Sequence, residues 1–173
     1  LQDEELRQRV VAEVDKVFSE ASLNFDSIDR LEDVRGLVME TMRVNPVAYA
    51  MARTATKEFE FGGYTISKGD ELMVFTVANH WEEAFFSNPE KFDIERYREP
   101  RNEHKNGAIY APFGRGPHTC VAAGLAEMHT VINVAMLFRY LDFKDAFPLE
   151  QVKIKYIPAP FMSETLKIRS TRR

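Results

Sequence analysis

The stretch Tyr110–Gly124, which reads YAPFGRGPHTCVAAG, is the most informative part of this 173-residue chain. Its centre is Cys120, the only cysteine in the sequence. Gly114, Gly116 and Pro117 precede the cysteine and disfavour regular helix or strand. The run that follows it, VAAGLAEMHTVINVAMLFRYL, is rich in apolar residues at helical spacing. The stretch therefore predicts a tight loop that presents Cys120 at the start of a long helix.

The predicted position of Cys120 favours a metal-binding thiolate. Unpaired backbone N–H groups and the positive end of the helix dipole stabilise negative charge at a helix N-terminus. A thiolate is a soft ligand that binds iron, including the iron of haem. A lone cysteine is, however, more often a small buried apolar side chain. The residue by itself therefore leaves both interpretations open.

The loop as a whole resembles the haem-binding loop of the cytochrome P-450 superfamily, since Phe113-x-x-Gly116-x-x-x-Cys120 has that family's spacing without insertion. The resemblance implies that Cys120 is the proximal iron ligand of haem b (iron protoporphyrin). It also implies that Phe113 packs beside the cysteine and that Gly116 lets the backbone approach the porphyrin closely. Gly114 belongs to the same cofactor-binding loop, and His118 stands where the family has a partner for a haem propionate.

Two other positions bear on the resemblance. Ala122 occupies a place that the family usually fills with glycine, which is a mild departure. Arg53 stands where the family places an arginine against a haem propionate, and guanidinium–carboxylate geometry suits that contact. From the sequence alone, a solvent-facing strand arginine is the alternative.

A second motif lies upstream, where Glu40 and Arg43 are three residues apart on a predicted helix that ends at Asn45-Pro46. A Glu/Arg pair at this spacing is commonly a surface ion pair that contributes little. It resembles, however, the family's Glu-x-x-Arg helix, and FDIERY supplies the third member, Arg96. The resemblance implies a buried ionic cluster of these three residues that assembles the haem site and takes no part in the chemistry.

The periodicity of the remaining chain predicts an α+β, mainly helical fold, which resembles the C-terminal part of the cytochrome P-450 fold. Its expected elements are two helices (residues 3–19 and 31–44), β-hairpins around Gly62-Gly63 (47–75) and a charged irregular meander (81–107). The cysteine loop (110–120), the long helix (121–141) and a terminal hairpin (152–168) follow. His80 and His104 lack a metal-binding pattern, so we expect both on the surface.

Composition excludes some classes of function. The chain is 45% hydrophobic and 29% charged with a net charge of −4, so it predicts one modest globular core and no nucleic-acid partner. No apolar run approaches the about 20 residues that span a bilayer. By resemblance, we expect residues 1–173 to form a single C-terminal haem-binding portion, without the family's N-terminal half. The parent protein would be cytoplasmic or anchored to a membrane through its N-terminus.

The resemblance implies a haem-thiolate monooxygenase that hydroxylates a small apolar organic substrate with molecular oxygen and electrons from a diflavin reductase or a ferredoxin. The distal helix that activates oxygen would lie in the N-terminal half, so we expect no turnover by this chain alone. Two alternatives stay open: a haem-binding fragment or haem-thiolate protein without monooxygenase activity, and an α+β interaction domain with an inert cysteine.

Overall fold

The computed structural model describes residues 3–20, 24–105, 109–145, 154–155, 161–162 and 168–173. The α-helices in this part of the chain are α1 (Glu4–Glu20), α2 (Phe25–Asp29), α3 (Glu32–Val44) and α4 (Ala123–Tyr140). The strands are β1 (Met51–Thr54), β2 (Phe59–Phe61), β3 (Tyr64–Ile66), β4 (Glu71–Val74), β5 (Leu141–Asp145), β6 (Ile154–Lys155), β7 (Phe161–Met162) and β8 (Ile168–Arg172). Short 3₁₀ turns lie at Ala78–Trp81, Ile94–Tyr97, Glu103–Lys105 and Gly116–His118. This mixture of helices and small sheets confirms the predicted α+β class.

Helices α1, α3 and α4 pack against one another and form the main core. Helix α1 contributes Val10, Val14 and Val17, whose steps of four and three place them on one face. Helix α4 contributes Val131 and Ala135, which are buried against the same core. No helix in the described residues is both long enough and apolar enough to span a bilayer.

The beginning of α3 is capped by a side chain from another helix. Leu31, its N-cap residue, has no side-chain oxygen to offer. Instead the two carboxylate oxygens of Glu13 on α1 accept the backbone N–H groups of Asp33 and Val34, at 2.7 and 3.0 Å. These contacts satisfy two amides that a helix start leaves unpaired, and they hold α3 in register with α1.

The β-rich segment consists of two antiparallel pairs, β1 with β4 and β2 with β3. Gly62 and Gly63 connect β2 to β3 with φ angles of 58° and 82°. Both angles lie in the left-handed region that favours glycine, which confirms the predicted hairpin turn.

The C-terminal strands pair differently from the expected single hairpin. Part of that hairpin is present as β6 paired with β7, but β8 pairs with β5. Strand β5 follows α4 directly and was not predicted. Its sequence, LDFKD, mixes polar and apolar residues as the preceding helix does, and no glycine or proline separates the two elements. Residues 152–153, 156–160 and 163–167, which also belong to the predicted hairpin, lie outside the described residues.

Candidate functional site

The structure brings Glu40, Arg43 and Arg96 together in the interior, where all three are fully buried. Arg43 donates to both oxygens of the Glu40 carboxylate, at 2.8 and 2.9 Å, and Arg96 Nε donates to it at 3.2 Å. The hydroxyl of Tyr97 and the backbone N–H of Asp93 add donors at 2.7 and 2.9 Å. The surface ion pair that the sequence left as an alternative is therefore not what the structure contains.

The two guanidinium groups also bind backbone carbonyls of the irregular segment. Arg43 donates to the carbonyls of His80 at 2.8 Å and Pro89 at 2.7 Å. Arg96 donates to the carbonyls of Asn88 at 2.8 Å and Lys91 at 2.9 Å, and to the Glu103 carboxylate at 3.0 Å. The irregular segment is thus held to the core by buried cations.

Electrostatics in this cluster favour the ionised carboxylate. Burial opposes the charge on Glu40, but the hydrogen bonds from Arg43, Asp93 and Tyr97 outweigh burial and hold the pKa of Glu40 below its usual range. Burial, reinforced by the charge of Glu40, raises the pKa of Tyr97, so its hydroxyl stays a donor. The cluster therefore carries two guanidinium charges against one carboxylate, with Glu103 beside Arg96 as a second carboxylate.

His80 was expected on the surface, and that expectation is wrong, since the side chain is fully buried. Its Nδ1 lies 3.2 Å from the carbonyl oxygen of Arg43, and its Nε2 accepts the backbone N–H of Ala111 at 3.0 Å. Desolvation, with Arg43 and Arg115 nearby, lowers the pKa of His80 to about 4 despite the opposing charge of Glu40. The imidazole is therefore neutral near pH 7.

His104 is half-buried, so only part of this side chain lies on the surface where it was expected. Its ring packs 5.5 Å from that of Tyr97, and its buried Nδ1 has no hydrogen-bond partner among the described atoms. Burial lowers its pKa from the ordinary histidine value.

Backbone hydrogen bonds shape the loop that carries Cys120. The N–H of Gly114 donates to the carbonyl of Ala111 at 3.1 Å, and the N–H of Cys120 donates to the carbonyl of Phe113 at 2.9 Å. Gly114 and Gly116 have φ angles of 75° and 77°, in the left-handed region. The left-handed angle of Gly114 favours glycine, and a Cβ there would also lie 2.7 Å from the sulfur of Met51 on β1, a flexible side chain that would have to move.

A cavity of about 390 Å³ opens beside this loop. Its lining is mostly apolar and consists of Met42, Val47, Ala48, Met51, Thr76, Pro112, Phe113, Gly114, His118 and Cys120. Cys120 is exposed. The alternative of a small buried apolar cysteine therefore does not describe this residue.

The predicted propionate partners lie at different distances from this cavity. His118, in the turn Gly116–His118, is exposed and lines it. Arg53 does not line it; its guanidinium donates to the carbonyl of Ala52 at 2.8 Å and lies 3.6 Å from the sulfur of Met51, which does. Among the described residues, no carboxylate pairs with Arg53, so its guanidinium is available to an anionic ligand.

The residues around the cavity suit a haem group. Cys120 offers one exposed soft donor, and apolar side chains line the space beside it. No heavy atom lies within 4 Å of the position that a Cβ on Gly116 would take, so the backbone there is open to a flat ligand. The exposed thiol and the apolar lining therefore fit a thiolate-bound macrocycle.

Sequence reasoning missed three residues that organise this region: Tyr97, His80 and Glu13. Tyr97 directly follows Arg96 in FDIERY, and an aromatic hydroxyl beside an expected cluster member is a signal that could have found it. His80 and Glu13 bind backbone groups that lie 31 and 20 residues away, and no local pattern indicates such contacts.

Comparison with protein-family models matches residues 1–169 to the family described as Cytochrome P450. The chain is 32% identical over 133 residues to cyclooctat-9-en-7-ol 5-monooxygenase of Streptomyces melanosporofaciens, covering 77% of this chain and 29% of that protein. It is 31% identical over 152 residues to sterol 14alpha-demethylase of Mycolicibacterium vanbaalenii, covering 87% and 34%. It is 30% identical over 141 residues to human cytochrome P450 3A7, covering 81% and 28%. The chain thus spans about a third of the length of these curated relatives. It belongs to the cytochrome P450 family, whose members bind haem.

Proposed function

We propose that this chain supplies the proximal side of a haem-thiolate monooxygenase site, with Cys120 as the iron ligand. The observation that carries the proposal is the exposed Cys120 on the wall of an apolar cavity of about 390 Å³. Two of the similar proteins are named as a monooxygenase and a demethylase.

Each residue of the loop has a defined role in this proposal. Cys120 would hold the iron through Sγ, with its backbone N–H bonded to the carbonyl of Phe113 as it is in this structure. Gly114 and Gly116 would keep the loop free of Cβ atoms on the side where a macrocycle could approach. His118 at the rim and Arg53 on β1 would bind the two propionates, because an imidazole N–H and a guanidinium without a carboxylate partner among the described residues are suitable donors to carboxylates.

When bound, a thiolate-ligated haem supplies the oxygen chemistry that the polypeptide lacks. The chain's own contribution is to hold the thiolate, to keep water away from the ligand with the apolar wall, and to keep the loop rigid. Rigidity comes from the buried cluster of Glu40, Arg43 and Arg96, which holds the irregular segment before the loop. We assign these three residues to assembly of the site and not to proton or electron transfer.

The electrons and the substrate come from elsewhere. The proposal includes a redox partner, a diflavin reductase or a ferredoxin, and a small apolar organic substrate. It also includes residues outside this chain that cover the opposite face of the haem, with residues 1–173 acting as one haem-binding unit.

The test is the absorption spectrum of the haem-loaded chain, reduced and exposed to carbon monoxide. We expect a red-shifted thiolate–CO Soret band in the wild-type chain and its loss in Cys120→Ser. The neighbouring exchange Thr119→Ser is the matched control, because it keeps the hydroxyl that donates to the carbonyl of Gly116 at 2.8 Å. A wild-type chain that binds haem without this band would refute Cys120 as the ligand.

A second candidate is a haem-thiolate protein without monooxygenase activity. It is favoured by the small number of polar side chains in the cavity lining, which are those of Thr76, His118 and Cys120. Both candidates predict the same thiolate–CO band. They differ in turnover: oxidation of NAD(P)H through a reductase, coupled to product formation by the full-length protein, supports the monooxygenase, and its absence with intact thiolate ligation supports the second candidate.

A further inference from the structure

The geometry points to His80 as a positioning residue that sets the conformation of the Cys120 loop through one hydrogen bond to its first residues. This inference rests on the proposed function for its consequence at the iron. The hydrogen bond itself belongs to the polypeptide and can be measured without haem.

The two ring nitrogens of His80 have different backbone partners. Nε2 lies 3.0 Å from the backbone nitrogen of Ala111, which can only donate. Nε2 must therefore be unprotonated, and the neutral ring must carry its hydrogen on Nδ1. From there it donates to the carbonyl oxygen of Arg43, 3.2 Å away. The contacts thus specify the Nδ1–H tautomer.

Two aromatic rings pack against this imidazole. Its ring stacks on Tyr110 with centroids 5.5 Å apart and an interplanar angle of 22°, and it meets the edge of Phe86 at 5.9 Å. Arg43 returns a hydrogen bond to the carbonyl of His80 at 2.8 Å, so the two residues are joined in both directions. His80 therefore transmits the position of α3 and its buried cluster to the loop.

The bond to Ala111 lies at the start of a short chain of backbone contacts that ends at the cysteine. The carbonyl of Ala111 accepts the N–H of Gly114 at 3.1 Å, which forms the turn. The carbonyl of Phe113, the residue before that glycine, accepts the N–H of Cys120 at 2.9 Å. A shift of Ala111 would therefore move the peptide that binds the cysteine amide.

Three substitutions separate this positioning role from simple filling of the core. His80→Phe keeps a ring between Tyr110 and Phe86 but removes both hydrogen bonds. His80→Asn places its amide near the position of Nδ1, so it can keep the hydrogen bond to the carbonyl of Arg43 but loses the bond to the N–H of Ala111. His80→Gln reaches the place of Nε2, where its carbonyl oxygen can accept the N–H of Ala111.

The first readout is hydrogen exchange of the Ala111 amide in the complete chain. We expect exchange about tenfold faster in the Phe and Asn variants and near the wild-type rate in the Gln variant, because an unmade buried bond changes opening by about that factor. The second readout, in the haem-loaded chain, is the fraction of the CO complex with the thiolate band. We expect it to fall in the Phe and Asn variants and to be rescued in the Gln variant.

Equal behaviour of the Asn and Gln variants, or an unchanged Ala111 amide in the Phe variant, would overturn the inference. The wild-type chain supplies a test that needs no variant: nitrogen chemical shifts of His80 should show protonated Nδ1 and unprotonated Nε2, and the reverse tautomer would refute it. If the amide and tautomer results agree with expectation but no variant or wild-type protein shows a thiolate band, the positioning of the loop stands and the proposed function fails.

Discussion

Replacement of Glu40 by glutamine should destabilise the fold strongly, because the carboxylate accepts five hydrogen bonds in a site without solvent. The glutamine side chain would have nearly the same shape but only one acceptor oxygen. In the more favourable orientation, its NH₂ group would take the place of the oxygen that has fewer donors and would face Arg43 Nε and the hydroxyl of Tyr97. The two buried guanidinium groups would also lose the carboxylate that they share. Breaking a buried ion pair in this way costs about 3–5 kcal/mol.

The matched control is Glu4→Gln on α1, because Glu4 pairs with Arg7 at the same three-residue spacing and at 2.7 Å, but on the surface. Surface pairs of this kind contribute little, so we expect an almost unchanged free energy of unfolding. The two sites thus share the Glu/Arg pair and its spacing, and they differ in burial and in the extra donors, Arg96, Tyr97 and Asp93, that Glu40 accepts.

Urea unfolding of the complete chain measures both effects. Trp81 is the only tryptophan and its ring lies 5.4 Å from the guanidinium carbon of Arg43, so its fluorescence reports on the cluster directly. Far-UV circular dichroism gives the second probe, and coincident transitions justify a two-state treatment. A loss of unfolding free energy in Glu40→Gln no larger than that in Glu4→Gln would refute the argument from burial.

Three further predictions concern packing, protonation and helix capping. A Cβ on Gly36 of α3 would lie 3.0 Å from Ile94 Cβ and 3.1 Å from its carbonyl oxygen, so Gly36→Ala should cost about 1–3 kcal/mol in thermal or urea unfolding. Gly124→Ala in α4, with no atom within 4 Å, should instead be neutral or stabilising, and equal effects would contradict this expectation. The pKa of His80 is lowered to about 4, so the unfolded chain binds a proton first as pH falls. The stability from this neutral ring should be complete above about pH 6.5 and decrease by about 3 kcal/mol between about pH 6.5 and 4, a dependence absent in His80→Gln; parallel pH profiles would argue against it. Glu13→Gln should lose one of two bonds to the start of α3 and about 1 kcal/mol, measured against the exposed change Glu5→Gln.

The sequence was most informative where structure depends on neighbouring residues. Gly62-Gly63 predicts a hairpin because left-handed backbone angles are a property of the residue itself. The stripe of Val10, Val14 and Val17 predicts a packed helix because helical periodicity is local. Residue type and spacing also indicated Cys120 as the candidate ligand, and its exposure beside a cavity agrees with a binding residue.

The burial of polar residues, and the backbone groups that they bind, depend on how distant segments pack together. A Glu/Arg pair at i and i+3 reads alike in α1 and α3, but the packing of the irregular segment buries Glu40 and leaves Glu4 in solvent. The position of His80 between α3 and the cysteine loop, and the pairing of β8 with β5, likewise follow from contacts between distant segments. These contacts form because segments that are distant in sequence remove one another from water. The free energy of burying their polar groups depends on all of the partners in the folded protein, so no short stretch of the chain predicts it.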